Sequence, residues 1–336
     1  MAKIIATLVL ALSTLVTASI DTSTSSSGNT TLIYQFPNGT WVENIAVRNN
    51  SQLLLTIFTS PDLYSLDPTT SNAEPTLLHT FANATATFGI TEYAPDVFAV
   101  AVGNFSLTSG TTPGSYAVYR VDFSASEDDK PDIELIAAVP DADALNGICT
   151  LPNDSGSLLL ADIKKGQVFR MDLETGESTV VVPSTNSLTM IADSSFGPAG
   201  IDGIHVLDDY LYTANIATGD FGKLAITSNG TLVANTDPVV IAQAADGAYW
   251  DDFVLDDEGN AYAVTGSGNT LLMISPEGVQ TLLAGDLNST ELAQPTSVNW
   301  SRGEGNKRLY VVTAGGLQAP VNGDEVVGGQ VVALDL

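Results

Sequence analysis

The segment 146–172, NGICTLPNDSGSLLLADIKKGQVFRMD, contains the unit that decides the fold. It opens on a polar residue and a glycine, continues into a short apolar run, and turns at Asn, Asp and Gly. Two further apolar runs follow, at 158–161 and 168–171, before a second turn. Apolar and polar residues alternate with a period near two between turn-forming residues, which is typical of antiparallel β-strands. The segment therefore predicts one small antiparallel sheet.

The same unit recurs along the chain. Its entry segments begin at residues 43, 88, 146, 202, 251 and 296, which gives spacings of 45, 58, 56, 49 and 45 residues. Repeats of this length are typical of four-stranded propeller blades. We therefore predict an all-β fold, a six-bladed β-propeller with four-stranded antiparallel blades. The segment 31–36 belongs to no complete unit, so it is predicted to close the blade that ends in 330–336, which would hide an exposed sheet edge. A β-sandwich with a second domain is the alternative, and it fits the even spacing less well.

Composition excludes several classes of protein. The chain has 336 residues, with 11 Lys and Arg against 39 Asp and Glu, and a net charge of −28. So negative a chain repels nucleic acid and anionic membranes. The single cysteine, Cys149, excludes an internal disulfide framework, and its apolar surroundings indicate a buried structural thiol. We expect a monomer or a weak homo-oligomer.

The N-terminus is predicted to be a targeting segment. Lys3 precedes an apolar stretch and then small residues, so residues 1–18 are predicted to be a signal peptide, 19–30 a flexible lead-in and 31–336 the propeller domain. No later stretch is long enough to span a bilayer. The protein is expected to be secreted or to enter the secretory pathway. Nine Asn-x-Ser/Thr triplets are glycosylation candidates: Asn29, Asn38, Asn49, Asn83, Asn104, Asn153, Asn229, Asn288 and Asn299.

The polar entry segments carry a family resemblance. Glu43, Asn146-Gly147, Asp202-Gly203 and Asp251-Asp252, with the later stretch DDEGNAY at 256–262, resemble the regucalcin/gluconolactonase-like six-bladed propellers. The stretches 41–47 and 295–298 look more specifically like the secreted fungal branch. The resemblance implies a calcium site on Glu43, Asn146, Asp202 and Asp251, although Asp202 stands where the family usually has Asn. The other interpretation is that these carboxylates accept hydrogen bonds from neighbouring blades.

Other catalytic arrangements have little support in the residues. Two histidines, His79 and His205, cannot form a three-histidine zinc site, and no G-x-S-x-G motif is present. His205 is predicted to be a core or interblade residue. Aromatic side chains flank the polar entries instead, which predicts an aromatic-walled channel with Phe88, Tyr249 and Phe253 binding substrate. The other interpretation is that these aromatics pack between blades.

Three functions remain open at this level. The fungal branch is similar to hetero-Diels–Alderases, which join a tropolone quinone methide to a humulene-type alkene in secondary-metabolite biosynthesis. That resemblance implies a dry channel lined by Trp41 and Trp250, in which Asn44, Thr296, Ser297 or a Trp N–H polarises the diene carbonyl, with no cofactor. The second function is a calcium-dependent lactonase or ester hydrolase. The third is a non-catalytic secreted binding propeller.

Overall fold

Six four-stranded antiparallel sheets make up the computed structural model, which describes residues 29–125, 129–152, 154–194, 197–303 and 307–336. The predicted six-bladed β-propeller is therefore confirmed. The predicted signal peptide and most of the predicted lead-in lie outside the described residues. The last two residues of that lead-in, Asn29 and Thr30, belong to the first strand. No helix in the described part of the chain has the length and apolar content that a membrane span needs.

The first three blades follow one another along the chain. Blade 1 consists of β2 (Val42–Val47), β3 (Leu53–Ile57), β4 (Asp62–Leu66) and β5 (Thr76–Thr80). Blade 2 consists of β6 (Ala86–Ala94), β7 (Val97–Gly103), β10 (Tyr116–Asp122) and β11 (Asp132–Val139), with the hairpin β8 (Phe105–Ser106) and β9 (Gly110–Thr111) inserted between β7 and β10. Blade 3 consists of β12 (Leu145–Leu151), β13 (Asp154–Asp162), β14 (Gln167–Asp172) and β15 (Ser178–Val182).

The remaining blades complete the ring. Blade 4 consists of β16 (Ile201–Leu207), β17 (Tyr210–Asn215), β18 (Asp220–Ala225) and β19 (Val239–Gln243). Blade 5 consists of β20 (Trp250–Leu255), β21 (Ala261–Thr265), β22 (Thr270–Ile274) and β23 (Gln280–Gly285). Blade 6 combines β24 (Pro295–Trp300), β25 (Arg308–Thr313) and β26 (Gly328–Asp335) with β1 (Asn29–Asn38), and a short 3₁₀ helix at Thr290–Leu292 precedes it.

The core lies between the blades. Leu54 of blade 1 packs with Phe98 of blade 2, and Phe221 of blade 4 packs with Phe253 of blade 5. Each blade is covered on both faces, so its middle strands are apolar almost throughout, as in β7 (VFAVAVG). The inner strands begin at or within two residues of the predicted entries. Burying each sheet between two neighbours therefore positions six inner strands around one axis.

The predicted ring closure is confirmed. Strand β1 pairs antiparallel with β26, from Asn29 opposite Asp335 to Asn38 opposite Gly328. The first and the last of the described strands thus belong to one blade, and β26 is paired on both of its sides. The backbones approach most closely at Gly328, where an added Cβ would lie 1.6 Å from the carbonyl oxygen of Phe36. Only glycine fits this contact without displacing β1.

Gly328→Ala is expected to weaken the closure. The methyl group must push β1 away from β26, which we expect to lower the free energy of unfolding by about 3 kcal/mol. Gly156→Ala is the matched control, because its added Cβ would meet its nearest neighbour at an ordinary 3.5 Å. Urea unfolding of the two variants and the wild type measures the difference. Equal midpoints for Gly328→Ala and the wild type would show that the closing strand does not contribute to stability.

Six of the nine glycosylation candidates are exposed in the structure: Asn29, Asn38, Asn49, Asn83, Asn229 and Asn288. Asn104 is half-buried, and Asn153 lies outside the described residues. The side chain of Asn299 donates from Nδ2 to the carbonyl oxygen of Ile45 at 3.1 Å. A glycan on Asn299 would break that contact, so Asn299 is a poor acceptor site.

Candidate active site

Each inner strand carries a β-bulge at its polar entry. The register shifts between Val42 and Asn44 in β2, and the corresponding shifts lie at 87–90, 145–148, 201–204, 250–253 and 295–297. A bulge places two residues opposite one and redirects a side chain. As a result Glu43 and Asn44 line different cavities at opposite ends of the channel, and so do Asp251 and Asp252.

The glycines that follow the polar entries explain how closely the inner strands approach. A Cβ on Gly147 would lie 2.4 Å from the carbonyl oxygen of Asp202. A Cβ on Gly203 would lie 2.9 Å from the carbonyl oxygen of Asp251. Each glycine therefore lets its strand contact the backbone of the next blade. The polar-then-glycine pattern in the sequence is a packing requirement that also brings the polar side chains together.

The first cavity has a volume of about 460 Å³ and an aromatic wall, which consists of Trp41, Phe58, Phe88 and Phe105. The Phe58 ring is central, with its centroid 4.7 Å from Trp41, 5.3 Å from Phe88 and 4.0 Å from Phe105. Trp41 and Phe88 were predicted from the sequence, whereas Phe58 and Phe105 were missed. Phe105 belongs to the inserted hairpin, and the long spacing of 58 residues between the second and third entries was the available signal for it.

The four residues that the family resemblance assigned to a metal lie together in this cavity. Glu43, Asn146, Asp202 and Asp251 all line it, and the three acidic ones, the carboxyl cluster, are buried. Burial raises the pKa of Glu43 to about 8, while the nearby polar atoms of Trp41 and Asn146 act to lower it. Burial and the neighbouring carboxylates raise the pKa values of Asp202 and Asp251 well above their usual range. Placing three acids in one dry site favours their neutral forms unless a cation compensates them.

The donor chemistry of these residues fits a calcium ion. Carboxylate and amide oxygens are what a hard cation needs, and Glu43 Oε2 is buried without a hydrogen-bond partner in the described structure. Trp41 Nε1 beside it also lacks a partner of normal geometry. Among the described residues, however, no three Asp, Glu, His or Cys side chains are already arranged as a metal-binding group. A bound ion would therefore require these side chains to move closer together.

The second cavity, of about 270 Å³, lies at the other end of the channel and contains residues predicted to polarise the substrate. Asn44 Nδ2 donates to Asp252 Oδ2 at 2.9 Å, and Ser297 Oγ lies 3.0 Å from the same oxygen. Thr296 Oγ1 donates to the carbonyl oxygen of Val42 at 2.7 Å and is fully buried. Asn44 and Ser297 therefore line a different cavity from Trp41, and Thr296 lines neither of the two. His205, predicted to be a core or interblade residue, is partly exposed in this second cavity and contacts Phe253 of the next blade.

Three aromatic residues lie outside the wall of the first cavity. Trp250 is fully buried between blades 4 and 5, and its Nε1 donates to the carbonyl oxygen of Gly219 at 2.9 Å. Phe253 packs beside it in the same interblade core. Tyr249 packs behind the cavity, and Gln294 Nε2 donates to its hydroxyl at 3.2 Å. Trp250, Phe253 and Tyr249 were predicted to line the channel. The structure instead places Trp250 and Phe253 between two blades and Tyr249 behind the first cavity.

Cys149 has the structural role expected from the sequence. The thiol is buried among the apolar side chains between blades 3 and 4. Burial raises its pKa far above the usual range, so the thiolate that a nucleophile requires is not formed at neutral pH. This cysteine does not contribute chemistry to either cavity.

Comparison with known proteins finds relatives that match most of the chain. No protein-family model matches. A protein of Sarocladium schorii named hetero-Diels–Alderase asR5 is 30% identical over 338 residues, which cover 90% of this chain and 82% of that protein. A protein of a Phoma species, also named a hetero-Diels–Alderase, is 30% identical over 314 residues, which cover 86% of this chain and 87% of that protein.

Solved structures with the same architecture are more distant in sequence. A luciferin-regenerating enzyme is 16% identical with a TM-score of 0.66, covering 92% of this chain and 95% of its own. The calcium-binding regucalcin of Agrobacterium tumefaciens is 13% identical with a TM-score of 0.61, covering 91% and 93%. A gluconolactonase of Xanthomonas campestris is 12% identical with a TM-score of 0.59, covering 93% and 90%. At these identities the likeness shows the propeller fold alone.

Proposed function

Since the chain belongs to the hetero-Diels–Alderase family and is therefore a cyclase enzyme, we propose that its first cavity binds a tropolone-type quinone methide together with a terpene alkene. The observation that carries this proposal is the aromatic wall of Trp41, Phe58, Phe88 and Phe105. Flat apolar rings contact such a wall over a large area. The relatives favour this function over a non-catalytic binding propeller.

The proposed reaction needs no group transfer. The carbonyl oxygen and the methylene carbon of the quinone methide each bond to one alkene carbon, so three π bonds become two σ bonds and one π bond. No proton moves and nothing leaves. Because little charge develops, the rate gain comes mainly from holding the two reacting faces together and from excluding the water that would otherwise add to the methylene carbon.

Polar groups of the first cavity replace those first predicted to polarise the heterodiene. Asn44, Ser297 and Thr296 are engaged elsewhere, whereas Asn146 lines the aromatic cavity. Its side-chain amide is a donor at every pH. We propose that Asn146 donates a hydrogen bond to the carbonyl oxygen of the quinone methide, which lowers the energy of the heterodiene as the new bonds form.

A calcium-dependent lactonase is the second candidate, and the oxygen side chains of the first cavity favour it. Glu43, Asn146, Asp202 and Asp251 would hold the ion, which would polarise a lactone carbonyl when bound. The carboxyl cluster at one end of the cavity is what this candidate explains better than the first.

Chelation separates the two candidates. Excess EDTA is expected to leave the rate and the stereoisomer ratio of the cycloaddition within about 2-fold of the untreated protein, because holding two neutral partners requires no ion. EDTA already saturated with calcium is the control for effects of the chelator itself. Loss of cycloaddition in EDTA, restored by calcium, would contradict the proposal. Calcium-dependent opening of a lactone would favour the second candidate.

We also propose passage through the secretory pathway and a monomeric or weakly associated state. The basic and then apolar stretch at residues 3–12 and the six exposed glycosylation candidates support the first of these. The acidic net charge of −28 supports the second, since like-charged copies repel each other.

A further inference from the structure

One lysine occupies a fixed position at the first cavity. Lys164 lies in the turn between β13 and β14, and it is one of the residues that line the cavity. The turn is held by the buried carboxylate of Asp162, whose Oδ1 accepts the backbone N–H groups of Lys164 at 3.1 Å and Lys165 at 3.0 Å. The same carboxylate accepts the N–H groups of Asp143 and Ala144 at the start of blade 3. The backbone of Lys164 is thus tied to the inner strand beside it.

The ammonium group of Lys164 is held by the backbone of the protein. Lys164 Nζ donates to the carbonyl oxygen of Pro198 at 2.7 Å. Among the described residues that line the first cavity, Lys164 is the one with a cationic side chain. Partial burial lowers its pKa from the usual value, so keeping the charge costs desolvation energy. An anionic or electron-rich partner near this ammonium would offset that cost.

The neighbouring lysine shows that the position is specific. Lys165 follows in the same turn, but its ammonium donates to the carbonyl oxygen of Asp141 and lies 3.5 Å from Asp143 Oδ1. Lys165 does not line the cavity. Two adjacent lysines of one turn therefore have different surroundings, and of the two Lys164 is the one that lines the cavity.

The first cavity is lined by charged residues of both signs. The carboxyl cluster of Glu43, Asp202 and Asp251 offers no positive charge to an anion, and the chain as a whole is strongly acidic. Lys164 is where a negatively charged oxygen is stabilised. A flat ring that carries an acidic hydroxyl beside a carbonyl would then rest on the aromatic wall with its ionised oxygen toward Lys164.

We propose that Lys164 binds the ionised hydroxyl oxygen of a seven-membered α-hydroxy ketone ring and thereby sets the orientation in which that ring lies on the aromatic wall. This inference rests on the proposed function and adds to it the residue that orients the ring-bearing partner. Lys164 acts on orientation and selectivity, and no bond of the cycloaddition involves it.

The test is equilibrium binding of two small probes, followed by calorimetry or tryptophan fluorescence. Tropolone, at a pH where it is ionised, carries the acidic hydroxyl, and tropone has the same ring and carbonyl without it. Lys164→Met is expected to weaken tropolone binding about 10-fold or more and to change tropone binding less than about 2-fold, because a charge-assisted hydrogen bond is lost. Lys165→Met is the matched control and is expected to bind both probes like the wild type. Lys164→Arg is expected to recover part of the tropolone affinity.

Several results would overturn the inference. Equal weakening of both probes by Lys164→Met would indicate a merely structural role, and unchanged binding of both would remove Lys164 from the site. The inference also fails if the wild type binds tropolone no better than tropone. Because binding is measured without an alkene, the result is independent of whether cycloaddition occurs: selective tropolone binding with no cycloadduct would keep the Lys164 site and reject the proposed function.

Discussion

Trp41→Ala is expected to lower the rate of cycloaddition about 100-fold and to remove its stereoselectivity, because the reacting faces lose the surface that aligns them. Trp41 is almost fully buried, lies at the aromatic wall and packs on Phe58. Removing the indole opens the cavity and admits water. The measurement is the initial rate together with the ratio of cycloadduct stereoisomers and water adducts.

Trp300→Ala is the control for a general loss of stability. Trp300 packs on Tyr262, and its Nε1 donates to the carbonyl oxygen of Leu255 at 3.0 Å, away from the first cavity. This variant also loses an indole and is expected to keep the wild-type stereoisomer ratio. Retained stereoselectivity in Trp41→Ala, or an equal loss of stereoselectivity in both variants, would show that the aromatic wall does not control the reaction.

The second large expected effect is a change in the free energy of unfolding with pH. The folded protein raises the pKa of Glu43 from the ordinary value of 4.5 to about 8. Between these values the folded state binds more protons than the unfolded state, so the free energy of unfolding falls as the pH rises from about 5 to 8. Glu43 alone is expected to remove roughly 4 kcal/mol over this window, at about 1.4 kcal/mol per pH unit. Thermal unfolding midpoints in calcium-free buffer measure the slope.

Glu43→Gln tests the origin of this slope. The variant cannot ionise at this position, so it is expected to unfold at a higher temperature than the wild type at pH 8 and to show a flatter pH dependence. Glu258→Gln, on an exposed turn of blade 5, changes the charge equally and is expected to keep the wild-type slope. A wild-type midpoint that rises between pH 5 and 8 would contradict the expected titration. Stabilisation by calcium in the wild type but not in Glu43→Gln would instead show that the carboxyl cluster binds calcium.

The propeller fold could be predicted from the sequence because the features that determine it are local and recur in each blade. The polar entry, the apolar alternation and the turn residues recur in each blade, and the strand β1 was recognisable because it had no unit of its own. Strand pairing and interblade packing then require a closed ring. None of these features depends on the direction of a single side chain.

The composition of the site depends on the direction of individual side chains, and these directions could not be predicted from the sequence. A β-bulge sends Glu43 and Asn44 to opposite ends of the channel, and alternation alone cannot show which way each one points. In the sequence Trp250 is close to an acidic entry residue, as Trp41 is, but its indole packs between two blades. Phe105 and Lys164 reach the cavity from a hairpin and a turn that lie outside the inner strands. Their contribution could be seen only once the blades were assembled.

The most direct test of the central claim is the stereoisomer ratio of the cycloadduct as a function of protein concentration. A quinone methide of tropolone type is generated in solution with a humulene-type alkene, and the products are separated on a chiral column. We expect one stereoisomer to become dominant as wild-type protein is added, while water adducts decline. A ratio that stays at the protein-free value at every protein concentration would contradict it.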